Sequence, residues 1–215
     1  MNPEERFSII KRNTQEILTE GELRVELESG RNLNAYYGIA TTGPFHIAYL
    51  IPLTKVFDFS KVNIKTKILL ADIHAILDDM KADWDKVGLI AEYYKKCIEH
   101  SLPWPENPEI VLGSSYQCEP DYYKDLLKIA THVTVNRATR AASEVTRMKN
   151  PKVSELIYPL MQVIDEEYLE VDIQIGGIDQ RHIMALAREE LPRLEYKSRI
   201  EIMTPLIASL KGPDT

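Results

Sequence analysis

Cysteine is nearly missing from this chain of 215 residues: Cys97 and Cys118 are the only two. They cannot build a disulfide framework and show no CxxC spacing, which fits a reducing compartment such as the cytoplasm. Long apolar runs are missing as well. Ala48 to Leu53 and Ile68 to Ala71 are among the most apolar stretches, far short of the roughly 20 residues a bilayer-spanning helix needs. The opening Met1-Asn-Pro-Glu-Glu-Arg6 is acidic and lacks the basic-then-apolar layout of a secretory signal. Positive charge is in deficit, with 26 basic against 33 acidic residues and a net charge of −7. That balance argues against a protein whose main task is gripping a nucleic-acid backbone. A local patch is still possible around Arg137, Arg140 and Arg147, where no acid precedes Glu144. The same run reads equally well as a solvated helix face.

What is present describes a globular α/β domain. With 44% hydrophobic and 27% charged residues, the chain can bury a sizeable core. Helical periodicity runs over residues 4–18, anchored on Phe7, Ile9, Ile10 and Ile17. Asn34 to Ile39 reads as a short strand entering a loop between Gly38 and Gly43, followed by a helix-length apolar run from His46 to Phe57. Lys67 to Ala71 is continuously apolar, as a buried parallel strand should be. Helices are expected at 73–80 and 84–101, the latter with Ile90, Tyr93, Tyr94, Cys97 and Ile98 on one stripe. Glu109 to Leu112 is a strand, and 121–168 reads as successive helices broken at Asn150-Pro151. Val171 to Ile175 and Ile200 to Met203 complete the strands, with a helix starting near Asp179. Alternation at this spacing predicts a parallel, doubly wound sheet with helices on both faces. Ligands of such sheets sit beyond the carboxyl ends of strands.

Three constellations occupy such places. In Tyr36-Tyr-Gly-Ile-Ala-Thr-Thr-Gly-Pro-Phe-His-Ile-Ala-Tyr49, Gly38 and Gly43 would let backbone approach a ligand, while Thr41, Thr42 and His46 would offer donors where a helix begins. Ordinary turn chemistry explains the same residues, and the lysine of a P-loop is missing. In Val171-Asp-Ile-Gln-Ile-Gly-Gly-Ile-Asp-Gln-Arg181, a glycine pair followed by Asp179 suits a ribose, or simply a turn with an Asp cap. Between them, Tyr158, Gln162 and Asp165 recur at i, i+4 and i+7 and share one helical face. Leu160, Met161, Val163, Ile164 and Leu169 bury that helix, so the polar face calls for a polar partner. Glu166 and Glu167 are read as its solvent side.

Together these residues resemble the tyrosyl-tRNA synthetase family, class I aminoacyl-tRNA synthetases of archaeal and eukaryotic type. The first constellation is similar to the family's HIGH signature, with His46-Ile-Ala-Tyr49 in its place. Tyr158-Pro-Leu-Met-Gln-Val-Ile-Asp165, Gly176-Gly-Ile-Asp-Gln-Arg181, Ala71-Asp-Ile-His74 and Gly113-Ser-Ser-Tyr-Gln117 follow the family pattern in order, from about Phe7 to Leu210. The resemblance implies a Rossmann-like catalytic domain over 1–215 with a helical insert at about 115–160. It implies activation of tyrosine with ATP, Mg2+ accompanying the phosphates, transfer to tRNA, a homodimer and a cytoplasmic location without membrane attachment.

It also implies roles. Tyr36 and Asp165 would bind the substrate phenol, and Tyr158, Gln162 and Gln180 its ammonium and backbone end. Gly38, His74, Tyr116 and Gln117 would line the pocket. Thr42, Gly43 and His46 would meet ATP phosphates, with Gly176, Gly177 and Asp179 at the ribose. Thr42, His46 and Gln180 would be the catalytic set, and Arg140 and Arg181 would face the tRNA acceptor stem. Two positions depart from the pattern: Pro44-Phe45 stand where relatives often carry a basic residue, and Ala48-Tyr49 replace Gly-His. Met203 to Thr215 resembles the lead-in to the lysine-rich KMSKS loop, and the chain stops there. The expectation is therefore a catalytic domain without that loop or an anticodon-binding domain. Two alternatives stand beside it: a non-catalytic piece that binds tyrosine, adenylate or tRNA, and an unrelated nucleotide-binding α/β protein.

Overall fold

Strand β2 (Asn34–Ala40) organises the molecule, because parallel strands pair with it on both sides. The protein is described by a computed structural model covering residues 1–78, 83–146 and 152–207. Residues 79–80 of the expected helix, Arg147, the Asn150-Pro151 break and the end from residue 208 to Thr215 lie outside these. The elements follow as α1 (Pro3–Lys11), β1 (Glu16–Leu18), α2 (Glu20–Glu28), β2, α3 (Leu50–Lys61), β3 (Lys65–Ala71), α4 (Asp72–Leu77), α5 (Val87–Glu99) and β4 (Glu109–Leu112). The helical segments α6 (Pro120–His132), α7 (Val135–Thr146) and α8 (Val153–Tyr168) come next, then β5 (Ile173–Gly177), α9 (Arg181–Glu190) and β6 (Ile200–Thr204). The sheet order is β1-β6-β5-β2-β3-β4, parallel except for β1. The chain winds outward from β2 through β3 to β4, then returns to the other side of β2 with β5 and β6. The β2/β5 boundary is thus a topological switch point, where a crevice opens beyond the strand ends.

Alternation along the strands divides the two faces. Tyr37 and Ile39 of β2, Ile68 and Leu70 of β3, Ile173 and Ile175 of β5, and Ile200 and Ile202 of β6 enter one apolar core with α1, α2, α3 and α5. The opposite face carries Tyr36 and Leu69, and beyond it α6, α8 and α9 close a second core around Tyr122, Ile129, Met161, Ile164 and Ile183. On that face the register sets Lys67 beside Tyr36, Tyr36 beside Gln174, and Gln174 beside Glu201. A row of polar side chains therefore crosses four adjacent strands.

The doubly wound α/β architecture is as expected from the alternation; several details differ. The helix expected over 4–18 ends at Lys11, since Asn13 takes a left-handed φ of 55° and turns the chain. Ile17 instead joins β1, which pairs antiparallel with β6 and makes the sheet mixed. Asn2 caps α1 with a capping box to Glu5, a signal consistent with a short helix. On α5 the buried stripe is Ala91, Tyr94 and Ile98, at helical spacing, whereas Tyr93 is exposed and Cys97 only half-buried. Glu166 does not face solvent: it is fully buried against β5. The second core wraps α8 on that side as well, so its carboxylate is turned into the sheet.

Phe59 on α3 is fully buried in the first core, whereas Val25 on α2 is mostly exposed. Phe59→Ala is expected to cost about 3–5 kcal/mol and Val25→Ala less than about 0.5 kcal/mol, as read from urea unfolding midpoints.

Candidate active site

At the switch point lies a cavity of about 390 Å³, with walls from the carboxyl ends of β2, β3 and β5 and from α8. Its lining brings together Tyr36, Gly38, Thr42, His46, His74, Tyr158, Gln162, Asp165, Gly176, Gly177, Asp179 and Gln180. These residues lie up to about 140 positions apart in sequence, yet they share one concavity. Tyr116 and Gln117 stand behind it and act on its wall through Asp165. Gly43 lies outside the lining but shapes the loop, because its φ of +71° suits only glycine without strain.

Asp165 is the most constrained group. It is fully buried, and its Oδ1 accepts from the Tyr116 hydroxyl at 2.8 Å, Gln117 Nε2 at 2.9 Å and the Tyr122 hydroxyl at 2.8 Å. Oδ2 has no hydrogen-bond partner, and His74 Nε2 stands 3.7 Å away, likewise without one. Burial raises the Asp165 pKa, while His74 and the three donors pull it down. Burial also lowers the pKa of His74, keeping its imidazole neutral. One oxygen is saturated by neutral donors and the other is left open, which costs free energy unless something polar arrives.

Tyr36 is the second anchor. With the Gln174 amide assigned the orientation in which every neighbour is satisfied, its side-chain oxygen accepts from the Tyr36 hydroxyl at 2.7 Å and from Gln162 Nε2 at 3.0 Å. The Gln174 nitrogen donates to Glu166 Oε1 at 2.7 Å and Glu201 Oε2 at 3.1 Å. Burial first, then the nearby carboxylates Glu166 and Asp165, keeps the Tyr36 phenol protonated well above its usual range. Sequence reasoning missed Gln174, Tyr122 and Glu201, and put Glu166 in solvent. The available signal was period-two polarity inside buried strands, Asp172 and Gln174 between Val171, Ile173 and Ile175.

The other wall is built from two loops. Thr42 and Gly43 carbonyls accept from the Tyr94 hydroxyl at 3.0 and 3.1 Å, and the Phe45 N–H donates to the Tyr93 hydroxyl at 3.1 Å. His46 is exposed and stacks on Tyr49 with ring centres 4.4 Å apart. The helix does not start at His46, as expected, since a 3-10 turn at Ile47–Tyr49 precedes α3. Thr41 is fully buried, its hydroxyl has no hydrogen-bond partner, and it does not line the cavity, so the expected donor role is withdrawn for it. Opposite, a Cβ on Gly177 would meet Asp179 Oδ1 at 2.3 Å and one on Gly176 would meet Met184 Cε at 2.5 Å. The glycine pair is needed for packing alone, and it also leaves the floor of this part of the cavity open. Arg140 is exposed on α7, and Arg181 makes a two-pronged ion pair with Glu16 at 2.8 and 2.9 Å, both outside the cavity.

With this geometry in place, the comparisons with known proteins are decisive about descent. The model of the family described as tRNA synthetases class I (W and Y) matches residues 28–214. The chain belongs to this family. A probable cytoplasmic tyrosine–tRNA ligase of Vairimorpha ceranae is 45% identical, with 99% of this chain and 66% of that protein covered. The cytoplasmic tyrosine–tRNA ligase of Saccharomyces cerevisiae is 44% identical, with 98% of this chain and 55% of that protein covered. The crystal structure of a tyrosyl-tRNA synthetase from Archaeoglobus fulgidus, complexed with L-tyrosine, superposes with a TM-score of 0.94 at 40% identity, covering 98% of this chain and 66% of that one. The chain therefore spans 55–66% of the length of these relatives.

Glu201 gives a pH-dependent test of the row behind the cavity. Burial raises its pKa from 4.5 to about 8, against the opposing effects of Arg188 and Arg199. Glu166, on α8, is raised as well, with Glu201 the second cause after burial. A folded value above the unfolded one means the contribution is complete below pH 4.5 and fades as pH rises towards 8. Thermal melts should show the wild-type Tm falling across that window and Glu201→Gln falling less; parallel profiles would contradict a protonated Glu201.

Proposed function

We propose that this chain carries the tyrosine-activating site of a tyrosine–tRNA ligase, joining L-tyrosine to ATP and passing the tyrosyl group to tRNA(Tyr) in the cytoplasm. The observation that carries the reading is the unpartnered Oδ2 of buried Asp165, a residue that lines the same cavity as Tyr36. A phenol hydroxyl placed between them would satisfy a group that otherwise has no partner. Tyr158, Gln162 and Gln180 would receive the ammonium and carboxylate end. His74, Tyr116, Gln117 and Gly38 would complete the pocket, Tyr116 and Gln117 by fixing Asp165. The relative with a TM-score of 0.94 is a complex with L-tyrosine, which supports tyrosine as the ligand.

In the reaction, a substrate carboxylate oxygen attacks the α-phosphorus of ATP, the bond to the β-phosphate bridge breaks, and pyrophosphate leaves with the electron pair. No side chain becomes attached to substrate. Catalysis then consists of positioning, with donors aimed at charge growing on the phosphates. Thr42, Gly43 and His46 on one wall would serve those phosphates, and Gly176, Gly177 and Asp179 on the other the ribose. Mg2+ would arrive on the phosphates, the mode suited to a cation that keeps much of its hydration. In the second step a ribose hydroxyl of the tRNA terminus attacks the tyrosyl carbonyl, and AMP departs. Arg140, exposed on α7, would meet an acceptor stem, and Arg181 would do so by leaving Glu16. A homodimer is favoured by apolar side chains exposed on the helical insert, Tyr123, Leu127 and Val135.

Tyrosine-dependent exchange of pyrophosphate into ATP tests the reading. Exchange is expected with tyrosine and not with phenylalanine; no exchange, with tyrosine still bound, would reduce the chain to a tyrosine-binding piece. Asp165→Ala removes a charged acceptor, worth about 1.5–3 kcal/mol, or roughly 10- to 100-fold, to a phenol donor. That loss should fall on tyrosine and spare phenylalanine; equal loss for both would sink the assignment.

A further inference from the structure

Two polar atoms of the cavity wall are left without partners by the fold, and they complement one another. His74 Nε2 and Asp165 Oδ2 each lack a hydrogen bond, and they stand 3.7 Å apart. Both side chains are buried, and both residues line the cavity. What His74 offers there depends on its tautomer, which Gln117 decides. Gln117 Nε2 donates to Asp165 Oδ1 at 2.9 Å, so the amide cannot be turned over without setting two acceptors against each other. The same nitrogen stands 3.4 Å from His74 Nδ1. An amide nitrogen only donates, so Nδ1 carries the lone pair and accepts. Burial holds the ring neutral against Asp165, Asp72 and the Tyr158 backbone, which all favour a second proton. Its one N–H is therefore on Nε2.

A donor and an acceptor 3.7 Å apart are too distant to satisfy each other. One ligand oxygen can lie about 2.7–2.9 Å from both. It must then accept from the imidazole and donate to the carboxylate, which is the hydrogen-bonding capacity of a hydroxyl. The hydrogen count closes for a phenol: its single hydrogen goes to Oδ2, and its oxygen accepts from Nε2. A bare ring edge supplies neither bond. An aromatic amine donates to the carboxylate but accepts poorly, because its lone pair is drawn into the ring, and so it leaves the His74 N–H unpaired.

We propose that His74 is a specificity-determining residue of the tyrosine pocket, its Nε2–H donating to the substrate phenol oxygen while Asp165 Oδ2 takes the phenol hydrogen. The inference rests on the reading of the cavity as a tyrosine site and adds to it the group that tells a hydroxyl from an amine. Asp165 alone cannot do so, since a carboxylate accepts from either. Gln117 is the positioning residue behind the pair. Its one amide nitrogen orients the carboxylate through Oδ1 and fixes the imidazole tautomer through Nδ1.

The test is binding of three ligands to the whole chain at neutral pH, followed by calorimetry: tyrosine, phenylalanine and 4-aminophenylalanine. The wild type should prefer tyrosine to 4-aminophenylalanine by about tenfold or more. His74→Met keeps much of the bulk and removes the donor. It should weaken tyrosine about tenfold, leave phenylalanine within about twofold, and bind 4-aminophenylalanine no more weakly than the wild type does. His74→Gln returns an N–H near the Nε2 position and should recover about threefold of the lost tyrosine affinity. Equal loss for tyrosine and 4-aminophenylalanine, or unchanged tyrosine affinity, would overturn the inference while leaving the tyrosine site intact. If His74→Met melts below the assay temperature, nitrogen NMR of histidine-labelled wild type decides. The His74 ring should be protonated on Nε2, with that proton shifting on addition of tyrosine and not of phenylalanine; protonation on Nδ1 instead would sink the proposal. A wild-type chain that does not bind tyrosine would overturn both readings.

Discussion

A buried carboxylate without a buried cation is the constraint on which this structure turns. Asp165 sits at the base of the cavity, and its three donors are two phenols and an amide, all neutral. Each comes from the segment between β4 and the middle of α6. That explains why Gly113 is needed at the turn: a Cβ there would meet Gln117 Oε1 at 2.6 Å and Asp72 Oδ1 at 2.8 Å. Asp72 in turn accepts from the Ser114 N–H at 2.8 Å, tying the end of β3 to the same turn. Neutral donors compensate only part of the cost of desolvating a carboxylate. The remainder is what a polar ligand can supply, so the open oxygen couples stability of the fold to occupation of the cavity.

How much of this was legible in the sequence depends on the range of the signal. Strands β2, β3, β4, β5 and β6 are short, mostly apolar segments, and a local reading finds them. The glycine pair at 176–177, and Tyr158, Gln162 and Asp165 at helical spacing, are equally local. Tyr36, Thr42, His46, His74, Asp179 and Gln180 could be placed near strand ends, and the switch-point topology brings them into one cavity. The edge strand β1 was hidden because Ile17 continues a helical spacing that the left-handed turn at Asn13 breaks. Long-range pairs left no local trace. Gln174 meets Glu201 only through strand register, and Tyr122 meets Asp165 only through packing of α6 on α8. Glu166 was misread for the same reason: adjacent to Glu167 in sequence, it points the opposite way from the helix and into the sheet.

Three acids, Asp165, Glu166 and Glu201, are fully buried within this layer. Burial raises the pKa of each, and Glu166 and Glu201 raise further cost by facing one another. Arg188 and Arg199 oppose this from α9 and the β6 approach, yet Arg188 also pairs with Glu22, and Arg199 with Glu167. Replacing buried ionic groups with apolar ones of similar volume is often neutral or stabilising. A polar row retained in the centre of a sheet is therefore poorly explained by stability.

Specificity of orientation explains it better. A side-chain amide can be turned over at little cost when its surroundings are indifferent, and a tyrosine hydroxyl can rotate. A pocket that must distinguish a phenol from a phenyl ring cannot leave either choice open, because a rotated donor would offer the wrong partner to the same ligand. Around Gln174 one amide orientation satisfies all four neighbours: its nitrogen donates to Glu166 and Glu201, and its oxygen accepts from Tyr36 and Gln162. The energetic cost of burying the acids is then the cost of a fixed hydrogen-bond direction, transmitted along the row from β6 to β2 by rigid backbone rather than by a loop. The register of a parallel sheet is suited to that purpose, since a slip of one residue would turn Gln174 into the apolar core and expose the error at once.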